Sequence, residues 1–274
     1  DLTGSKCCPN TISWTYDTWE LAHGTGSATV KAGGTTWFFI TADYAFGASL
    51  ERDTASVVKA EGGQVLGEVK HPLGTQDFSS YLLKAQSSGA KVIGLANTGG
   101  DSINAIKQAS EFGIVQGGQK LAGLLIFISD IHSLGLKTAQ GLVLTSPFYW
   151  DLNNGTRAWS DRFFKTTGRR PTMVQAGAYS GVLHYLRAVS AVGSAKDALK
   201  VITKMKDTPA EDPLFGKSIV RADGRVIHDS YLFEVKKPEE SKGPWDYYKL
   251  ISTTLAEQAF RPISEGGCPL LAGK

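Results

Sequence analysis

Residues Thr35-Thr36-Trp37-Phe38-Phe39-Ile40-Thr41, followed at once by Ala42-Asp43-Tyr44-Ala45-Phe46-Gly47, decide the fold. The first run is too continuously apolar for a strand with one wet face, so it reads as a strand buried on both sides. Such strands belong to parallel sheets covered by helices. The next stretch supplies the cover: Leu50, Ala55, Val57, Val58 and Ala60 make an apolar stripe from Gly47 to Glu61. Gly62-Gly63 ends that helix where a left-handed residue is needed.

Outward from this unit the alternation repeats. Gln64 to Val69 reads as the second strand, and after His71-Pro72 and Gly74 the acid Asp77 is placed to cap a helix through Tyr81, Leu82 and Ala85. Lys91 to Ala96 is the third strand, and a helix through Ile103, Ala105, Ile106, Ala109 and Phe112 stops at Gly113. Leu121 to Ile128 is the expected fourth strand and Gly141 to Thr145 the fifth. Repeated strand–helix pairs predict an α/β fold with a doubly wound parallel sheet, whose ligands bind at the carboxyl ends of the strands. Past Trp150 the rhythm changes to three helical stretches, Thr156 to Thr167, Thr172 to Val192 and Lys196 to Met205, which imply a second lobe built partly from them. Ser218 to Arg221, a turn at Asp223-Gly224, Ser230 to Lys236 and Asp246 to Ile251 return the chain to β structure.

The 274 residues are 42% hydrophobic and 20% charged, a composition with no fibrous or disordered character. A net charge of +3, dispersed along the chain, gives no basic tract for a nucleic-acid backbone, so no nucleic-acid partner is expected. The longest apolar runs fall short of the roughly 20 residues of a membrane helix. Asp1 to Lys6 has neither the basic start nor the apolar core of a signal peptide, which leaves a cytoplasmic chain or a mature exported one. Cys7 and Cys8 lie at one end and Cys268 at the other, and on count alone a terminal bridge and three independent thiols are equally open.

Catalytic motifs are weak. Gly177-Ala178-Tyr179-Ser180-Gly181 misses nucleophile-elbow spacing and falls within a helix, so Ser180 reads as packing. Gly216-Lys217-Ser218 lacks the first glycine of a phosphate loop and reads as a strand entry. Gly24-Thr25-Gly26 lacks the third glycine of a dinucleotide fingerprint and reads as a helix with small residues for close packing. The histidines, His23, His71, His132, His184 and His228, have no metal-ligand spacing, so neither a metal nor a cofactor is expected. The balance moves from catalysis to binding. Four predicted strand-end loops carry aromatic and small polar residues: Asp43 to Gly47, Asn97-Thr98-Gly99-Gly100-Asp101, Ser129-Asp130-Ile131-His132 and Pro147-Phe148-Tyr149-Trp150. Any one ring could simply pack under its loop, but four such loops on one sheet edge suit a small organic ligand.

The order of these segments resembles the leucine/isoleucine/valine-type solute-binding proteins of ABC importers, with the type I periplasmic binding fold. The resemblance rests on Asp1-Leu2-Thr3-Gly4 with Pro9-Asn10-Thr11 and Tyr16-Asp17-Thr18, on Thr41 to Gly47, on His71-Pro72-Leu73-Gly74-Thr75-Gln76-Asp77-Phe78, and on Ile219 to Arg225 as a late hairpin. It implies a periplasmic protein, not an enzyme, that closes two lobes over a small molecule by a hinge motion and delivers it to a membrane permease. It implies that Tyr44 and Phe46 line the second-lobe wall with Asn97 and Thr98 beside them, and that Asp130 stands where an acid meets a ligand amine. Tyr16, Thr18 and Tyr179 would face them from the first lobe. The aromatic set Trp14, Tyr44, Phe46, Phe148, Tyr149 and Trp150 favours an aromatic carboxylate, with a branched-chain amino acid as the alternative cargo. A sensory domain of the same fold ranks next among functions, and an enzyme acting on a small acid last.

The resemblance also implies a division of the chain: 1–33 a first-lobe remnant and crossing helix, 34–150 the second lobe, 151–210 first-lobe helices, 211–252 a second-lobe hairpin and last strand, and 253–274 a tail. Roughly a further hundred residues of the first lobe would precede such a chain. The helices from Thr156 to Met205 would then leave an apolar face uncovered. An exported family permits disulfides, and the pairing implied is Cys7 with Cys268, Cys8 being the alternative partner.

Overall fold

The computed structural model describes residues 2–271, so Asp1 of the first quoted motif lies outside the described residues. The chain opens with α1 (Thr18–Ala22), a π-helix (His23–Ser27) and α2 (Ala28–Lys31). It continues through β1 (Thr36–Ala42), α3 (Ala45–Ala60), β2 (Gln64–His71), α4 (Ser79–Ser87), β3 (Val92–Ala96), α5 (Gly100–Glu111) and β4 (Lys120–Gly123). Next come α6 (Ile128–Leu134), α7 (Leu136–Ala139), β5 (Val143–Ser146), α8 (Asn154–Thr167), α9 (Met173–Val192) and α10 (Ala198–Asp207). Then follow β6 (Ala210–Asp212), β7 (Gly216–Val220), β8 (Val226–Ile227), β9 (Ser230–Val235), β10 (Tyr248–Thr254) and α11 (Ala256–Ala259). They fall into two units, a sheet unit of Asp17–Ser146 with Tyr231–Thr253, and a helical unit of Asp1–Tyr16, Pro147–Ser230 and Thr254–Lys274.

The sheet unit holds a seven-stranded sheet in the order β10-β9-β5-β4-β3-β1-β2. Strand β1, the run that opened the sequence argument, is buried from Trp37 to Ala42 and pairs in parallel with both β2 and β3. Its register sets Phe39 opposite Gly94. A Cβ on Gly94 would stand 2.7 Å from the Phe39 ring, so the missing side chain is what lets that ring lie across the neighbouring strand. Strand β2 is the edge and alternates exposed with half-buried residues. The sheet is parallel from β2 to β5, and β9 joins antiparallel with Leu144 opposite Phe233. The small-residue reading of Gly24-Thr25-Gly26 holds: a Cβ on Gly24 would stand 2.5 Å from Thr145 Oγ1, and Thr25 Oγ1 shares a 2.8 Å hydrogen bond with Thr145.

Three expectations need correction. The fourth strand stops at Gly123 instead of Ile128, because the Phe127 N–H is taken by the Asp130 carboxylate at 2.9 Å and helix α6 starts there. Leu124, Leu125, Ile126 and Ile128 are nonetheless buried, and an unbroken apolar run does not distinguish a strand from a buried helix start. Asp77 accepts the Ser79 N–H at 2.9 Å, but the residue at the N-cap of α4 is Phe78. The division of the chain also differs from 1–33, 34–150, 151–210 and 211–252. Helix α1 to α2 packs on α3 and belongs to the sheet unit, whereas β6, β7 and β8 pair with one another, with Ser13 bridging Arg225, and belong to the helical unit.

The helical unit contains α8, α9, α10 and the three-stranded antiparallel sheet β6-β7-β8. Helices α8 and α9 each start at a capping box, Asn153 with Thr156 and Thr172 with Gln175, and each ends at a left-handed glycine, Gly168 and Gly193. Ala188, Val201 and Met205 form an apolar cluster with Trp14 and Ile12. Ser180 is buried and donates to Asp212, the packing role read from sequence, while Asp212 Oδ1 accepts the Leu214 N–H at 2.7 Å. Arg225, 0% exposed, donates to Ser13 Oγ at 2.8 Å and to the Thr15 carbonyl, and its guanidinium lies 4.0 Å over the Phe260 ring. Cys7 and Cys268 are joined by a disulfide with Cα atoms 5.5 Å apart, and Cys8 is free and exposed.

Candidate functional site

In the sheet unit the carboxyl ends of β1 and β3 carry two of the predicted loops side by side. Tyr44 precedes the first turn of α3 and Phe46 lies in it, the two rings 5.9 Å apart. Gly47 allows this turn to sit against the sheet, since a Cβ there would collide with the carbonyl oxygen of Ala42 and stand 3.1 Å from that of Ala96. Tyr44 is exposed and Phe46 half-buried. Burial and, after it, the negative charge of Asp101 push the Tyr44 phenol above its ordinary pKa, so it remains a neutral hydroxyl donor.

Asn97 turns out to hold the second loop together from inside. It is fully buried, its Nδ2 donating to His71 Nε2 at 3.1 Å and its Oδ1 accepting the Ser102 hydroxyl at 2.7 Å. His71 Nδ1 faces the Pro72 carbonyl at 2.9 Å, which fits a neutral ring protonated on Nδ1. Both ends of the Asn97 amide are thus engaged within the sheet unit. Thr98 differs: its Oγ1 is a buried atom without a hydrogen-bond partner. It is followed by Gly99 at φ 61°, a left-handed turn that opens the N-terminus of α5. The first-turn N–H groups of that helix have no intrahelical acceptor and suit an anionic oxygen.

Of the three acids in these loops, Asp43 is exposed and the other two, Asp130 and Asp101, are engaged. Asp130 is buried, its Oδ2 accepting from the Phe127 N–H at 2.9 Å and its Oδ1 lying 3.5 Å from Ser129 Oγ, and burial raises its pKa against those contacts. Asp130 thereby caps the start of helix α6. Asp101 is buried and lies 3.3 Å from the Gly74 N–H. Thr18, expected on the first lobe, belongs to the sheet unit and donates to Asp53 Oδ2 at 2.6 Å, because the crossing helix packs on α3.

Phe148 and Tyr149, expected beside the fifth strand, belong to the helical unit and are buried there. Phe148 meets Trp159 edge-on at 5.9 Å, and Trp159 in turn lies 5.3 Å from Tyr179. Tyr179 is itself 36% exposed, and Tyr16 is half-buried in the same unit. Residues to which the sequence reading gave no site role are the supports: His71 and Ser102 around Asn97, Asp53 under Thr18, and Trp159 under Tyr179. Ser102 sits five residues after Asn97 at a strand-to-helix turn, a spacing that could have suggested it, whereas His71 lies on another strand and leaves no local signal. Among the described residues no group of three or more His, Cys, Asp or Glu side chains could hold a metal ion, and no helix is long and apolar enough to cross a membrane.

The family model for periplasmic binding proteins matches residues 1–244. A crystal structure of a periplasmic binding protein from Burkholderia mallei superimposes with a TM-score of 0.94 at 55% identity, covering 98% of this chain and 71% of that one. A branched chain amino acid ABC transporter periplasmic ligand-binding protein from Burkholderia xenovorans LB400 gives a TM-score of 0.87 at 40% identity, over 98% of this chain and 71% of that one. The Leu/Ile/Val-binding protein homolog 6 of Brucella melitensis is 24% identical over 258 residues, 91% of this chain. The chain spans 64% of that curated relative's length. With a match over most of its residues, this chain belongs to the periplasmic binding protein family.

Proposed function

We propose that this protein captures a small aromatic carboxylate in the periplasm and hands it to the membrane permease of an ABC importer. Family membership supports capture and delivery. The observation that carries the ligand class is the pairing of accessible rings with an unengaged hydroxyl. Tyr44 and Phe46 offer aromatic surface, Thr98 Oγ1 has no partner, and the carboxylates of Asp130 and Asp101 face backbone N–H groups. An α-amino acid needs an acid for its ammonium; a ring with one carboxylate needs the rings, a hydroxyl and the α5 N-terminus.

The second reading, a branched-chain amino acid, is favoured by the description of the Burkholderia xenovorans relative. Calorimetric titration with benzoate, hydroxylated benzoates, leucine, isoleucine and valine separates the two. Heat from the aromatic acids, lost in Phe46→Ala and reduced in Thr98→Val, is expected. Heat from the aliphatic amino acids alone would overturn the preference, and heat from none of them would overturn capture by this chain.

A further inference from the structure

A cavity of about 570 Å³ lies in the sheet unit at the ends of the strands opposite the Tyr44–Phe46–Thr98 loops, where β4 and β5 begin and antiparallel β9 finishes. Its floor is apolar and buried: Ile106 of α5, Leu121 of β4, Ala139 of α7 and Leu142 before β5. Its size falls within the range of small-molecule pockets. Gly118 and Gly141, at φ 98° and 79°, stand in its wall, and a Cβ on either would meet open space, so no side chain closes that side.

The charges in the wall are unequal. Lys120, Lys137 and Lys237 line the cavity from three separate elements, and no ion pair reaches any of them among the described residues. The acid in the same wall, Glu234, already faces Lys249 at 3.7 Å. Two neighbouring amides are satisfied locally, with Gln119 Nε2 donating to the Ala90 carbonyl at 2.8 Å and Gln140 Nε2 to the Lys137 carbonyl at 2.9 Å. Lys237 has the Glu240 carboxylate nearby, so what remains on offer is an apolar floor beneath the ammonium groups of Lys120 and Lys137.

We infer that this cavity is a second binding site, separate from the Tyr44–Phe46–Thr98 loops, for an organic carboxylate with an apolar body. The chain of such a ligand covers Ile106, Leu121 and Leu142, and its carboxylate lies between Lys120 and Lys137. This inference does not depend on the cargo assigned to the loops at the other end of the strands.

The test is an amide-resolved NMR titration with octanoate, with octanamide as the uncharged match. Saturable shifts at the N–H groups of Gly118, Gly141 and Leu142 are expected from octanoate. The exposed-site variant Lys120→Gln/Lys137→Gln is expected to weaken that binding about fivefold, by the loss of two partly solvated charge contacts. It should leave octanamide unchanged. Octanoate shifts that avoid these amides, equal affinity for octanamide, or an unaltered affinity in the double variant would each overturn the inference.

Discussion

The two units solve the same problem with different materials. In the sheet unit, β1 and β3 are buried along nearly their whole length and pair with neighbours on both sides, so its stability rests on apolar area and a continuous ladder. The helical unit has strands of three, five and two residues and relies on buried polar stitches: Arg225 to Ser13 and Thr15, His228 to Trp14, Ser180 to Asp212. It also holds the disulfide, and helices α9 and α10 leave Val182 57% and Leu199 60% exposed. Burying polar groups succeeds only when every one finds a partner, so the helical unit is the more brittle of the two.

The largest effect that sharpens this contrast is Phe39→Ala. The ring is fully buried over Gly94, and its removal should cost about 3–5 kcal/mol, lowering the protection of β1 and β3 amides in hydrogen exchange. Protection left intact would mean that the sheet does not depend on its central ring. Next comes Cys268→Ala, expected to cost about 2–5 kcal/mol. Its loss should appear at the Ser13 and Val226 N–H groups, which bond to Gly224 and Ser13 carbonyls at 2.9 Å, while β1 amides keep their protection. Equal loss in both units would end the claim that they are stabilised separately.

The same contrast explains what sequence reading reaches. The Thr35 to Thr41 run, the stripe of α3 and the caps of α8 and α9 are local patterns, and local patterns report strands and helices directly. The rings at Tyr44 and Phe46 were legible because a parallel sheet places its βα loops at one edge. Asn97 was legible as a loop residue but not as an engaged one, since its partner His71 comes from another strand. Arg225 is the extreme case: a charged residue in a turn-rich stretch reads as solvated, yet partners more than 200 positions earlier in the chain make it the core of a hairpin. The boundaries between units failed for the same reason, being set by which strands pair and not by any change in composition.

Acid should separate the units again, with opposite signs. His228 in the helical unit is buried, its Nε2 2.9 Å from the Trp14 carbonyl and its Nδ1 3.0 Å from the Asp229 carbonyl. Burial first, then the charge of Arg225, push its pKa down to about 4 from 6.5. A depressed folded-state pKa means the unfolded chain takes up the proton first. This stabilisation is present above pH 6.5 and is lost as pH falls towards 4, up to about 3 kcal/mol. The protection factor of the Val226 N–H should therefore fall across that window, and its slope should flatten in His228→Gln; a wild-type protection factor independent of pH would remove His228 as its source.

In the sheet unit the smaller effect runs the other way. Thr41 Oγ1 donates to Glu51 Oε2 at 2.5 Å, and burial, followed by the neighbouring Glu68, raises the Glu51 pKa from 4.5 to about 7. Here the folded state holds the proton more tightly than the unfolded chain. The contribution is full below pH 4.5 and is lost as pH rises towards 7. Glu51 is half-buried, so solvent screening reduces the effect to about 1 kcal/mol. Glu51→Gln keeps the shape of the neutral acid, still accepts from Thr41 and still donates to Glu68. It should therefore stabilise β1 and β2 amides by that amount at pH 7.5 and leave them unchanged at pH 4. A variant that destabilises the strands at pH 7.5 would show that Glu51 acts as a carboxylate, paired with Lys70 across the edge of the sheet.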